Sequence, residues 1–226
     1  IHLIPASEMT KSQTTLHGVP NGANPLAIVL PLFSQLSIGQ SSPVPHAINT
    51  LTVSLTANYD LAPGSTVTIS GLTDSQTADS PNLPILSTLD RLGTAGTWSK
   101  SSGELVLTAA SGGTLAGTAC TVTFILQNSA AAQQSPSVSV GARIEDGSSN
   151  IVGAIQNVAM TSSTASLYGV PNGAEPLMVV VPQFEVKSIT QRTPVSGAIN
   201  TLIITLLANF DLATGSTVTI TGLTGS

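Results

Sequence analysis

An all-β fold, immunoglobulin-like Greek-key β-sandwiches repeated in tandem, is predicted by three observations. Short segments rich in Thr and Val alternate apolar and polar residues with period two. Turns containing Gly, Asn and Pro separate them at short intervals, and helical periodicity is nearly absent. A long stretch of the chain also returns at a fixed offset, the mark of a tandem array.

The repeat organises everything else. Gly18-Val19-Pro20-Asn21-Gly22-Ala23 returns as Gly169-Val170-Pro171-Asn172-Gly173-Ala174, an offset of 151. That offset holds without a gap from Leu16–Ser75 against Leu167–Ser226, with about 38 of 60 pairs identical. It reaches weakly backwards, pairing Ile4 with Ile155 and Met9-Thr10 with Met160-Thr161. Residues 1–151 are therefore expected to form one full repeat and 152–226 the first half of the next, the chain being a piece of a longer protein. Leu61–Ile69 also echoes Leu115–Phe124, so a repeat could itself hold two sandwich halves, about 16–75 and 76–151. The recurring Gly18–Gly22 reads as a turn in which Pro presets the first corner and Gly accepts positive φ. It is expected to mark a joint between domains.

Within the repeat, Leu26–Phe33 is a continuous apolar run, expected to be a buried strand or one covered on both faces. Leu51, Val53, Leu55, Ala57 and Tyr59 alternate with Thr52, Ser54, Thr56 and Asn58, the pattern of a half-buried strand. A turn at Asp60–Gly64 leads into a second alternating strand, Thr66–Ser70. Glu104–Ala109, Ala119–Gln127 and Ser137–Ile144 read as further strands, separated by Gly-rich turns. Ile85, Leu86, Leu89 and Leu92 are the exception, spaced for one short helix or an apolar loop.

Composition narrows the function. Only 8% of residues are charged, and the net charge is −5 with six Lys and Arg. Six bases spread over 226 residues do not make a phosphate-binding patch, which argues against nucleic acid as a partner. Few ionisable groups are available to cluster into an active site, so no enzyme is expected. A mean hydropathy of +0.35 argues against disorder. No apolar run approaches the roughly 18 residues of a membrane span.

Few residues offer the groupings that chemistry needs. The first copy's His17 and His46 become Tyr168 and Gly197 in the second, so no repeated His site exists. Cys120 stands alone and reads as a buried structural thiol; no zinc site, other metal site or cofactor is expected. There is no Gly-x-Ser-x-Gly elbow and no phosphate-cradling loop. Glu145-Asp146-Gly147, and Asn58/Asp60 with their counterparts Asn209/Asp211, supply too few oxygens for calcium; Asn58 and Asp60 fit an Asx-turn capping a hairpin. Trp98 is the one aromatic that could face a ligand.

Two further expectations concern the surface. Every Asn fails the Asn-x-Ser/Thr rule, but Ser and Thr make up about a quarter of the chain. Ser42, Pro43, Pro45, Pro81, Ser135, Pro136, Thr193 and Pro194 place Pro beside hydroxyl, and O-glycans there would hydrate a surface poor in charge. On the strand at 50–59 the outward Thr52 and Thr56 become Ile203 and Leu207, apolar on both faces, whereas Leu32 and Leu36 become Gln183 and Lys187. Ile203, Leu207, Leu32 and Leu36 are thus the candidate interface with a neighbouring domain or subunit.

Gly39–Pro43, Asn49–Val53, Gly64–Thr73 and Gly103–Thr108 carry, in that order, a resemblance to the repeats of very large secreted or cell-surface proteins of microalgae and other protists. The resemblance implies an extracellular, filamentous or cell-coat role, with algal flagellar hairs as the nearest analogue. The expected function is a structural repeat of an extracellular filament or appendage. It would self-associate into a polymer by sandwich stacking or strand donation and carry covalent glycans. The alternative is a stalked adhesin or carbohydrate-binding module.

Overall fold

A computed structural model of the chain describes residues 2–224, so Ser226, the last residue of the sequence repeat, lies outside the described residues. Ten strands form two layers: β1 (Phe33–Gln40), β2 (Ile48–Ala57), β3 (Thr66–Ser70), β4 (Ser80–Ser87), β5 (Ala95–Ser99), β6 (Glu104–Thr108), β7 (Cys120–Gln127), β8 (Ser139–Glu145), β9 (Ile151–Ala159) and β10 (Thr161–Ser162). One layer runs β10-β1-β2-β7-β4 and the other β4-β5-β6-β3-β8-β9. Strands from before and after residue 75 interleave in both layers. All pairings are antiparallel except the short parallel contact of Ser37 and Ile38 with Thr161 and Ser162. The sandwich expected from the alternating pattern is the fold observed.

β4 belongs to both layers. Its Ser80–Pro84 part pairs with β5 and its Ile85–Ser87 part with β7. The register shift between Ser80 and Leu83 falls at Pro81, which cannot donate to a regular ladder, while Pro84 stays in register opposite Ala95. Ile85 and Leu86 therefore lie in this strand, and only Thr88–Asp90 forms a single 3-10 turn. The spacing that suggested a short helix comes instead from a strand running into a tight corner.

The core sits between the layers and follows the period-two pattern closely. In β7, Cys120, Val122, Phe124 and Leu126 are buried and alternate with less buried neighbours; in β3 and β6 Val67, Ile69, Leu105 and Leu107 do the same. These residues and Leu51, Val53 and Leu55 of β2 belong to one contiguous cluster. Trp98 is part of it at 1% exposure, its indole Nε1–H donating to the Thr77 carbonyl at 3.1 Å. Gly96, two residues earlier in β5, makes room for this packing: a Cβ there would come within 2.8 Å of Leu105 Cδ1 and Leu107 Cδ2.

The apolar run at 26–33 departs from expectation. Only Phe33 enters a strand; Leu26, Ile28 and Leu30 are exposed at 96%, 93% and 76%. Two turns govern this stretch. Pro20 and Asn21 occupy the corners of a turn closed by Gly22 N–H on the Val19 carbonyl, and Pro25 and Leu26 those of a turn closed by Ala27 N–H on the Asn24 carbonyl. In each the second corner has positive φ, 55° at Asn21 and 62° at Leu26, the geometry of a type II turn. The left-handed corner expected of a glycine in Gly18–Gly22 thus falls on Asn21, with Gly18 and His17 also at positive φ just before it.

The second copy begins identically and then diverges. β11 (Phe184–Gln191) and β12 (Leu202–Ala208) pair as β1 and β2 do, with the same register shift after the leading Phe. Thr217–Thr221 matches β3 at four of five positions but forms no strand, and Val218 and Ile220 are exposed where Val67 and Ile69 are fully buried. The strands that flank β3, β6 and β8, have no counterparts among the described residues.

Removing the Phe124 ring should destabilise the sandwich by about 3–5 kcal/mol, read as a lower denaturation midpoint followed by Trp98 emission. Burial pushes the Cys120 thiol pKa up, so alkylation should coincide with that unfolding transition rather than precede it.

Candidate functional site: the joint between repeats

The segment linking the two copies is held by the sandwich it leaves and by the hairpin it enters. After β10, Ser163 N–H donates to the Ile38 carbonyl at 2.8 Å, and the chain then makes two successive hairpin-like turns. Leu167 and Val170 bridge across Tyr168 and Gly169, both at positive φ. Met178 N–H closes on the Glu175 carbonyl at 3.2 Å around Pro176 and Leu177, with Leu177 at φ 54°. A left-handed leucine costs about 1–2 kcal/mol. Here the side chain is 1% exposed and joins the core cluster of the first sandwich; burying a leucine contributes about 1.5–3 kcal/mol, enough to offset the strain. Val170, Ala174 and Val179 are buried beside it at 4%, 5% and 2%.

Main-chain and amide hydrogen bonds fix the register. Val179 exchanges two backbone bonds with Gln133, at 2.8 and 2.9 Å, and Val180 N–H donates to the Pro43 carbonyl at 2.9 Å. Gln40 N–H donates to the Ala174 carbonyl at 3.1 Å. The Gln40 side-chain amide donates to the carbonyls of Gly173 and Met178 at 2.8 and 2.9 Å, and Ser135 Oγ donates to the Pro176 carbonyl at 2.8 Å.

Behind Gln40 stands a buried chain of amides. Asn49 Nδ2 donates to Gln40 Oε1 and to Asn128 Oδ1, both at 2.7 Å. Asn128 Nδ2 donates to the carbonyls of Ser42 and Val44 at 2.8 and 2.9 Å. Asn49 Oδ1 accepts from the backbone N–H groups of Ser41 and Ser42 at 3.1 and 3.3 Å. Asn49 and Asn128 are fully buried, and the complete set of partners makes that burial tolerable. The first two members recur: Asn200 Nδ2 donates to Gln191 Oε1 at 2.8 Å.

On its far side the joint is fastened to the following hairpin. Asp211 N–H donates to the Tyr168 carbonyl at 2.9 Å, and the Asn209 amide spans Val181 and Gln183 at 3.0 and 2.7 Å. The first copy shows the same arrangement: Asp60 N–H donates to the His17 carbonyl at 3.0 Å, and the Asn58 amide spans Leu30 and Leu32 at 3.0 and 2.8 Å. There His17 also stacks on Tyr59 with ring centroids 5.3 Å apart, and Asp60 Oδ1 accepts from Ala116 N–H at 2.8 Å. Asn58 therefore clamps the joint segment to its own hairpin rather than closing a local Asx-turn.

The residues singled out from sequence fall in different places. Trp98 is a core residue, so it cannot be the exposed ligand contact: it shares the inward parity of β5 with Gly96 and belongs to the core cluster. Ser42 and Pro43 are buried by the joint and are removed as glycan sites, since no sugar could be accommodated on them. Pro45, Ser135, Pro136 and Thr193 are half-buried, with the Ser135 hydroxyl already engaged, and Pro81 and Pro194 are exposed. Ile203, Leu207 and Leu32 are exposed at 45%, 53% and 41%, whereas Leu36 packs partly against the first core; Thr56, the counterpart of Leu207 expected to face outward, is instead buried at the end of β2.

Asp146 accepts from Ser148 N–H at 2.7 Å and from the Asn150 side chain at 2.9 Å, and these bonds hold its carboxyl below the usual range. Its neighbour Glu145 pairs with Arg143 at 3.0 Å. Among the described residues no three His, Cys, Asp or Glu side chains gather as metal ligands. A hollow of about 530 Å³ beside Asp74, Gln76, Asp79 and Lys100 is open to solvent and has no aromatic in its lining.

Sequence reasoning placed the joint but missed the amide chain. One signal was present: Asn49 occupies the inward parity of Leu51, Val53 and Leu55, and it recurs as Asn200 together with Gln40 as Gln191.

No protein-family model matches the chain, and no curated protein matches it. Among solved structures, the chain is similar to the sixth cohesin of scaffoldin B from Acetivibrio cellulolyticus, solved in complex with a mutant Cel5 dockerin. The identity is 15% and the TM-score 0.28, over 58% of this chain and 99% of that one.

Gln40→Ala removes both side-chain bonds to the joint and should accelerate hydrogen exchange at the Val179 and Val180 amides, leaving β3 and β6 protected. Asn128→Ala strands Asn49 and two carbonyls, and should cost about 2–3 kcal/mol in denaturant unfolding.

Proposed function

We propose that this chain is a structural stretch of tandem β-sandwich repeats, with a period of 151 residues, belonging to an extracellular filament or cell-surface appendage. The observation that carries this reading is the joint, a connector docked by backbone and amide hydrogen bonds to the sandwich before it and the hairpin after it. A flexible tether between independent binding modules would need no such docking. A connector that is packed and hydrogen-bonded passes force and orientation from one unit to the next.

Other features support the same reading. Ionisable groups are few and not gathered into a site, and the single Trp serves the core. The burial of Trp98 weakens the alternative of a carbohydrate-binding module, which would need exposed aromatic surface. Ile203 and Leu207, exposed on the second hairpin, and Leu32 on the first are the lateral surfaces proposed to meet neighbouring subunits. No helix among the described residues is long and apolar enough to cross a membrane. The exposed Pro81 and Pro194, each beside a half-buried hydroxyl residue, Ser80 and Thr193, are the proposed positions for O-glycans, which would hydrate a surface with little charge repulsion.

Electron microscopy of the native material should show filaments with a regular axial repeat, and separate beads on flexible strings would defeat the structural reading. Ile203→Thr with Leu207→Thr should abolish lateral association while leaving the thermal midpoint of the first sandwich unchanged. Intact mass of the native protein should exceed that of the bare sequence in hexose or pentose increments; equality would remove the glycans.

A further inference from the structure

The first copy of the joint carries a surface with no partner inside this chain. Leu16–Val29 has the same turns as Leu167–Val180, down to the positive φ of His17, Asn21 and Leu26 matching Tyr168, Asn172 and Leu177. What differs is what lies against it. Leu177 and Val179 are exposed at 1% and 2%, and their counterparts Leu26 and Ile28 at 96% and 93%. Pro176 is buried and Pro25 exposed.

Two independent facts mark this as a docking face. Leu26 is held in a left-handed conformation that favours glycine, at φ 62°, while its side chain projects into solvent. Strain of that kind persists where the surrounding structure or a partner requires it. The occupant is identified by the chain itself: at Leu177 the same strained leucine plugs into the pole of a sandwich formed by Gln40, Asn49, Asn128 and Gln133.

We infer that Leu16–Val29 is a docking plug for the amide-lined pole of another copy of this repeat, seated as Leu167–Val180 is seated on the first sandwich. This rests on the tandem structural reading and specifies its end-to-end contact. Plug and pole are different surfaces at opposite ends of a unit, so the contact is heterologous. Specificity comes from the Gln40 amide, which reads two backbone carbonyls of the plug, and from the one-residue register fixed by the pairing at Gln133. The partner is thus a second repeat of this same kind rather than an unrelated apolar protein.

Within these 226 residues the first pole is filled in cis by Leu167–Val180, so vacating it opens that pole to another molecule. Leu177→Asp with Val179→Asp should release that segment, and the pole should then accept Leu16–Val29 of another molecule. On an Ile203→Thr, Leu207→Thr background, which removes the lateral contact, sedimentation should show the chain monomeric and this variant associating with concentration, to at least about twice the monomer mass. Adding Leu26→Asp and Ile28→Asp to it should restore the monomer. A vacated-pole chain that stays monomeric with native Trp98 emission overturns the proposal, as does association that survives the added plug substitutions.

If Leu177→Asp with Val179→Asp disturbs Trp98 emission, Leu177→Ala combined with Ile28→Cys and Gln133→Cys decides the matter. Oxidation should trap disulfide-linked chains between molecules, and free thiols on monomers overturn the docking. Periodic filaments in native material alongside monomers in these variants would retire the plug and leave the filament reading standing.

Discussion

Asn49 lies fully buried in β2, where the alternation of Leu51, Val53 and Leu55 reserves the position for an apolar side chain. A lone amide there would be destabilising, since a buried polar group without partners forfeits its hydration. Its burial is made possible by Asn128 on one side and Gln40 on the other, and the geometry of all three is mutually fixed. Gln40 then has a side-chain N–H group aimed out of the sandwich, and the carbonyls of Gly173 and Met178 receive it. Two of the hydrogen bonds that seat the second repeat therefore rest on a polar side chain buried inside the core of the first.

This order of dependence explains which parts of the structure were legible in the sequence. β2, β3, β6, β7 and β8 are interior strands with one face on a single core, so their alternation is clean. β9 lies at a sheet edge and buries little beyond Ile155, which leaves almost no pattern to read. β4 was unreadable because it changes partners midway and carries two prolines, and β5 because a glycine stands where an inward side chain would signal it. The joint was legible through the exact recurrence of Gly-Val-Pro-Asn-Gly-Ala. Its amide chain was not, because Asn128 approaches Asn49 only through the pairing of β2 with β7.

The repeat also separates local sequence from context. Thr66–Ile69 and Thr217–Ile220 are identical, yet only the first forms a strand, because strands β6 and β8 supply its ladders on both sides. Leu26 and Leu177 show the complementary case, one backbone geometry with opposite environments. Backbone turns set by Pro, Asn and Gly are local and persist in both copies. Ladders and burial are collective and appear only where the rest of the unit is present.

The chemical character of the joint has a consequence for the medium in which it can work. Its hydrogen bonds come from backbone groups, carboxamides and one hydroxyl, and its packed side chains are aliphatic or proline. No formal charge takes part in the contacts of Leu167–Val180 with the first sandwich, so neither counter-ions nor protons have anything to compete for there. A connector of this kind keeps its grip at low and high ionic strength alike, and across a wide span of pH.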